Sequence, residues 1–100
     1  MNKNLKNFPV WNKNMNKIIK IKSVNAKKDF HLIVRFENNI VKEYDCHQIM
    51  HRDEFKPLKN KAFFRSVKVD SGGYGVSWNE NIDISEYELW NRGKGIADTT

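Results

Sequence analysis

Cysteine and histidine side chains cluster in one short stretch, where they could bind a metal ion or act as nucleophile and base. Cys46 adjoins His47, and His51 follows four residues later, so both imidazoles would share one face of a helix. Zinc needs three or four ligands, and His31 is the one other imidazole. The simpler alternative is two exposed histidines on a short polar helix. We therefore expect no metal and no cofactor, and keep a metal site at Cys46, His47 and His51 as a third hypothesis.

Catalytic groups do not converge elsewhere along the chain. Cys46 directly follows a predicted strand, where a small apolar residue fills the core, and His47 points elsewhere in any regular structure. Nothing in the pattern holds two carboxylates in one pocket. The stretch 71–75 is glycine-rich, but it lacks the Lys-Ser/Thr of a phosphate-binding loop and no helix follows it. The scattered carboxylates are Asp45, Asp53, Glu54, Asp70 and Asp83. We expect a protein that is not an enzyme.

Positive charge is concentrated at one end of the chain. Residues 1–28 carry 8 lysines and 0 acidic residues, a charge of +8, whereas the rest carry 10 basic and 12 acidic residues, a charge of −2. A lysine-rich segment can contact nucleic acid phosphates, and Lys20, Lys22, Lys27 and Lys28 are the candidates. The alternative is that an AT-rich genome favours both Lys and Asn.

Aromatic side chains offer a second kind of contact. Of the 12, Phe36, Tyr44 and Trp78 fall on the inward phase of their predicted strands. Trp11 lies in an apolar island, 8–11, within a polar segment, and Tyr74 and Trp90 are the other candidates for exposed contacts. Because exposed aromatic residues often mark protein interfaces, we expect these three to bind a protein partner, with a homodimer as an open alternative.

Length and composition restrict the class of protein. One hundred residues fit one domain, and 39% hydrophobic residues allow a modest core. The apolar run Leu32–Val34 is far short of the roughly 20 residues of a membrane span, and no apolar segment follows the basic N-terminus as in a signal peptide. A single cysteine cannot form an internal disulfide. We expect a cytoplasmic protein that does not bind membranes.

Alternation of apolar and polar residues predicts an α+β domain over residues 17–93, after a poorly ordered Lys/Asn-rich arm, 1–16, and before a tail, 94–100. Strands near 19–22, 32–36 and 40–45 form an antiparallel meander. A turn is predicted over 25–29, and Asn38-Asn39 suits a type I′ turn.

The second half of the domain combines short helices with a hairpin. Asp45 caps a helical turn, Asn60 caps a helix over 61–66, and Ser85 with Glu88 forms a capping box. Ser71-Gly72-Gly73 forms the turn of the hairpin, since glycine adopts a positive φ at low cost. The predicted fold is a small, mostly antiparallel sheet of about five strands, meander plus hairpin, with two or three short helices.

The order of these motifs resembles a bacterial family called domain of unknown function 2442. The matching stretches are 32–39, 41–45, 55–58, 63–64, 67–70 and 75–84. The resemblance implies a small α+β fold and carries no catalytic residues. Members are small proteins, some fused to a helix-turn-helix, and many are encoded beside another small protein, which has prompted a toxin–antitoxin proposal. This chain resembles the antitoxin-like partner, but has an arm and lacks a helix-turn-helix.

These observations give two hypotheses. The first is a non-catalytic binding module that contacts a protein, namely the toxin of a neighbouring gene. The alternative is a nucleic-acid-binding accessory protein that uses its basic N-terminal segment.

Overall fold

The computed structural model describes residues 18–97, which form two antiparallel sheets and several short helices. The predicted arm, 1–16, with Trp11, lies outside the described residues, as do residues 98–100. The strands are β1 (Ile21–Lys27), β2 (His31–Phe36), β3 (Val41–Asp45), β4 (Lys68–Val69), β5 (Gly75–Asn79), β6 (Ile82–Ser85) and β7 (Lys94–Ile96). The α-helices are α1 (Lys61–Phe64) and α2 (Glu86–Arg92). Short 3₁₀ helices span Lys28–Phe30, Cys46–Gln48, Asp53–Lys59 and Ser71–Gly73.

The first sheet has the order β1-β2-β3-β7, and its first three strands are the predicted meander. β1 runs through most of the turn predicted over 25–29, because Asn25 pairs with Ile33 and Lys27 pairs with His31. Cross-strand pairing thus outweighs the turn preference of Asn and Lys. The reversal is confined to Lys28–Phe30.

The connection between β2 and β3 is a four-residue loop, 37–40. The Phe36 N–H donates to the Ile40 carbonyl at 2.9 Å, and the Asn39 N–H donates to the Phe36 carbonyl at 2.9 Å. Asn39 has φ 71°, whereas Asn38 does not have a positive φ. A type I′ turn requires positive φ at both central residues, so that prediction is wrong, and a loop with one left-handed residue takes its place.

The fourth strand of this sheet was not predicted. Residues 94–96 were assigned to a tail, but they form β7 and pair with β3, with Val41 opposite Ile96 and Glu43 opposite Lys94. A three-residue strand with a central glycine has no readable alternation, and its existence depends on β3 offering a free edge.

The second sheet has the order β4-β5-β6. Gly72 and Gly73 have φ of 87° and 80°, which confirms the glycine turn. β6 was not predicted, and it pairs with β5 through Val76 and Ile84. The structure therefore has seven strands among its described residues where about five were expected, and the α+β class is confirmed.

The core lies between the sheets and beneath α2. Leu32, Val34 and Phe36 on one face of β2 are fully buried. The Trp78 ring N–H donates to the Phe64 carbonyl at 2.8 Å, and the Tyr44 hydroxyl donates to the Glu88 carboxylate at 2.7 Å. These two bonds, the first buried and the second part-buried, tie a helix to each sheet.

The predicted caps organise the short helices. The Asp45 carboxylate accepts from the His47 N–H, the Asn60 side chain from the Phe63 N–H, and the Ser85 hydroxyl from the Glu88 N–H. Within residues 18–97, no helix is both long enough and apolar enough to cross a membrane.

Candidate functional site

The outer face of the first sheet places polar side chains of neighbouring strands together. His31 at the start of β2 pairs with Asp45 at the end of β3, and the next outward pair is Ile33 with Glu43. The His31 Nδ1 lies 2.6 Å from a Glu43 carboxylate oxygen, and its Nε2 lies 3.5 Å from Asp45 Oδ1. Both His31 and Glu43 are half-buried. The strand register thus brings one imidazole between two carboxylates.

A second imidazole joins them from the 3₁₀ turn after β3. The Asp45 Oδ1 accepts from the His47 backbone N–H at 2.9 Å and lies 2.7 Å from the His47 ring Nδ1. Partial burial raises the pKa of Asp45, but the two bonds from His47 and the charges of His31 and His47 outweigh it, so the pKa is lowered. The carboxylate therefore stays ionised beside both rings.

The turn between β1 and β2 supplies a third carboxylate. Asp29 Oδ1 lies 3.6 Å from His47 Nε2. Asp29 and Phe30 have φ of 62° and 63°, a left-handed conformation that a bulky residue rarely adopts. The Phe30 ring packs edge-on against His47, with 5.6 Å between ring centroids. We name Asp29, His31, Glu43, Asp45 and His47 the histidine–carboxylate cluster.

The predicted metal ligands Cys46, His47 and His51 are not brought together. Cys46 points into the core and is fully buried, while His51 is exposed and outside the cluster. Burial, with the Asp45 charge, raises the pKa of the Cys46 thiol to about 12. The prediction assumed a helix in which residues four apart share a face. The 3₁₀ turn ends at Gln48, so His47 and His51 do not lie on one helix and share no face.

A cavity of about 570 Å³ opens beside the cluster. Its lining combines three apolar residues with four cations and the Asp29 carboxylate. The lining residues are Ala26, Lys27, Lys28, Asp29, Phe30, Lys61, Phe64 and Arg65. We name it the basic cavity. Lys27 and Lys28 were candidates from the sequence, whereas Lys61 and Arg65 were missed because α1 is far away along the chain.

The other two candidate lysines lie elsewhere. The Lys20 ammonium is 5.4 Å from the centroid of the Tyr74 ring, and Lys22 is exposed on β1 outside the cavity lining. The structure thus divides the four predicted lysines between separate surfaces.

Two exposed tyrosines mark a further surface. Tyr74 is 50% exposed and Tyr87 is 67% exposed. The Glu86 N–H donates to the Tyr74 carbonyl at 2.9 Å. This bond joins the loop that contains Tyr74 to the first turn of α2, which contains Tyr87. A side chain at Gly72 would meet the Tyr74 ring at 2.8 Å, so this ring lies directly on the glycine turn. We name Lys20, Tyr74 and Tyr87 the tyrosine patch.

Trp90, predicted to be an exposed contact, is packed against the core. It is half-buried, and its ring meets Phe36 edge-on with 5.0 Å between centroids. The Lys42 ammonium lies 3.9 Å from the Trp90 ring centroid and donates to the Trp90 carbonyl. Burial lowers the pKa of Lys42. The inward face of a seven-residue helix is ambiguous from sequence, because a short helix shows fewer than two full turns of periodicity.

Comparison with known proteins gives one match. The sequence model of the family described as "Protein of unknown function (DUF2442)" matches residues 21–95, which include both sheets up to the middle of β7. No curated protein and no solved structure matches the chain.

Proposed function

We propose that this chain, which belongs to the family "Protein of unknown function (DUF2442)", is a non-catalytic module that binds a protein partner through the tyrosine patch. The resemblance suggests as partner the small protein of a neighbouring gene, with this chain as the antitoxin-like member.

The exposure of Tyr74 and Tyr87 carries this proposal. Tyrosine supplies a large contact area at low entropic cost, since only two side-chain torsions must be fixed. The Tyr74 ring already contacts Gly72 and the Lys20 ammonium, so little side-chain conformational entropy is lost on binding. Ile18, which is 52% exposed, lies two residues before Lys20 and adds apolar surface.

The non-catalytic part of the proposal is supported by where the reactive groups lie. Both histidines of the cluster sit on the outer surface of the sheet, and neither lines the basic cavity. The single carboxylate in the cavity lining, Asp29, has a strongly exposed side chain.

Co-purification tests the proposal. The untagged chain is co-expressed with the tagged product of the neighbouring gene, and we expect the two to co-elute. Tyr74→Ala and Tyr87→Ala should each weaken binding by about tenfold or more, because truncating a central aromatic contact costs over 1 kcal/mol.

Ile40→Ala is the matched control, because Ile40 is 43% exposed and lies in the β2–β3 loop. It should bind as the wild type does. Co-elution that both tyrosine variants leave unchanged would exclude the patch. Absence of co-elution, with no toxicity of the neighbour, would contradict the protein-binding function.

The basic cavity favours a second candidate function, binding of single-stranded nucleic acid. Four cations lie around the half-buried Phe30 ring, and an accessible aromatic ring can stack a base while lysines contact phosphates. This candidate uses Lys27 and Lys28 of the basic segment but not Lys20 and Lys22.

Fluorescence anisotropy with a labelled single-stranded oligonucleotide separates this candidate from the first. The double variant Lys27→Gln/Lys28→Gln should bind more weakly, and its log–log salt slope should fall by roughly 1.4, about 0.7 per lost phosphate contact. Lys56→Gln/Lys59→Gln removes the same charge from exposed positions outside the cavity. Equal weakening by both double variants would show that only net charge matters and would exclude the cavity.

A further inference from the structure

We propose that the histidine–carboxylate cluster binds a divalent transition-metal ion of the zinc type through His31 Nε2, His47 Nε2 and a carboxylate oxygen of Asp29. This site differs from the one that the sequence suggested, since Cys46 and His51 do not take part.

The three ligand residues already lie close together. One ligand atom from each of Asp29, His31 and His47 lies within 4.8 Å of the others, and the His47 Nε2 is 3.6 Å from Asp29 Oδ1. Zinc bonds to nitrogen and oxygen of about 2.0–2.1 Å place tetrahedral ligands roughly 3.3 Å apart. The remaining movement is small, and the two exposed side chains, Asp29 and His47, can make it by rotation.

The second nitrogen of each ring is held in the way that metal-binding histidines require. His31 Nδ1 is paired with Glu43 at 2.6 Å, and His47 Nδ1 with Asp45 at 2.7 Å. A carboxylate that accepts the Nδ1–H of a ring fixes the ring orientation and leaves the Nε2 lone pair to face a metal. Two such carboxylate–histidine pairs that share one further aspartate form a complete ligand set with its supporting hydrogen bonds.

The turn positions the third ligand at an energetic cost. A left-handed conformation is unfavourable at a residue other than glycine, and both Asp29 and Phe30 adopt it. Phe30 packs between His47 and Phe64, with ring centroids 5.6 and 5.3 Å away. This contact holds the turn so that Asp29 lies beside His47.

The ligand types select the class of metal. Two imidazoles with one carboxylate suit zinc and its neighbours in the first transition row, whereas calcium and magnesium prefer oxygen ligands alone. Three protein ligands leave a fourth position for water or for a group of a binding partner. Glu43 and Asp45 add negative charge around the ion.

Metal titration of the untagged full chain tests the site. We expect Co²⁺ to give an absorption band of four-coordinate geometry, and Zn²⁺ to displace it with one-to-one stoichiometry in calorimetry. His31→Gln and His47→Gln should each weaken Zn²⁺ binding by more than about 100-fold. Glu43→Gln should weaken it by about 10-fold, as expected for loss of a carboxylate that orients a ligand.

His51→Gln is the matched control, because it removes an exposed histidine outside the cluster. Its affinity for Zn²⁺ should equal that of the wild type. If it loses as much affinity as His47→Gln, or if the wild type binds no Zn²⁺, the proposal is overturned.

A measurement on the wild type protects the test against variants that fail to fold. On adding Zn²⁺, NMR spectra of the imidazole nitrogens should show shifts of Nε2 in His31 and His47, with His51 unchanged. Shifts confined to His51, or spread equally over the three rings, would contradict the site. Failure of the metal site would not affect the proposal that the tyrosine patch binds a partner, since the partner assay does not depend on added metal.

Discussion

The two faces of the first sheet are built from the same strands and have opposite roles. On the inner face Leu32 and Phe36 are fully buried in the core, while on the outer face His31 and Ile33 are only half-buried. Successive residues of a strand point to opposite faces, so Tyr44 enters the core while its neighbour Asp45 joins the outer cluster. In the 3₁₀ turn that follows, Cys46 is buried in the core and His47 is exposed. Stability therefore depends on one set of positions, and polar chemistry on the alternate set.

The largest difference between the faces should appear in the reactivity of Cys46. Burial raises the pKa of its thiol from about 9.0 to about 12, so at pH 8 the thiolate fraction is about a thousandfold below that of an ordinary thiol. We expect iodoacetamide to modify the native protein only through unfolding, with a rate that rises with urea. Mass spectrometry measures this rate. A native rate near that of free cysteine would mean that the inner face is open to solvent.

The stability cost of Leu32→Ala, compared with that of Ile33→Ala, tests the difference between the two faces directly. Leu32→Ala should lower the free energy of unfolding by about 3 kcal/mol, because it removes fully buried methyl groups and leaves a cavity. Ile33→Ala should cost about 1 kcal/mol, since its side chain is half-buried. Urea denaturation measures both values. Equal costs would show that another segment covers the outer face.

Tyr44→Phe tests the polar bond that crosses from the inner face to α2. The phenol donates to Glu88 at 2.7 Å, and its loss should cost about 1 kcal/mol. Tyr87→Phe, at a 67% exposed position, is the control and should change the free energy of unfolding by less than about 0.3 kcal/mol. A cost at Tyr44 no greater than at Tyr87 would show that Glu88 finds an equivalent partner.

His31→Gln should have the smallest effect on stability. Ion pairs of partly exposed groups contribute little, so we expect a loss below about 0.5 kcal/mol in urea denaturation with chelator present. A loss of several kcal/mol in the free energy of unfolding would show that the cluster stabilises the fold. The two faces would then not differ in their contribution to stability.

Local signals predicted the parts of the fold that depend on neighbouring residues. Alternation over 32–36 and the capping side chains of Asp45, Asn60 and Ser85 act within a few residues, and the structure confirms them. β7 and the full length of β1 depend on a partner strand, so composition alone could not show them.

The candidate site follows the same rule. The sequence pattern indicates His47 as a residue that could do chemistry, but groups it with its sequence neighbours Cys46 and His51. Its actual partners come from strand register and from a strained turn. The pairing of His31 with Asp45 follows from the predicted meander and could have been predicted from it. The left-handed turn that places Asp29 beside His47 contains no glycine, so its sequence does not indicate a positive φ.

The contact between Gly73 and the start of β1 has a consequence for engineering the chain. A Cβ at Gly73 would come within 2.8 Å of the Ile21 carbonyl oxygen, so the Ser71–Gly73 turn packs directly against β1 of the first sheet. Loop tips usually accept epitope tags and new termini, but an insertion at this turn would separate the second sheet from β1. The exposed Asn38-Asn39 corner is the better place for such changes.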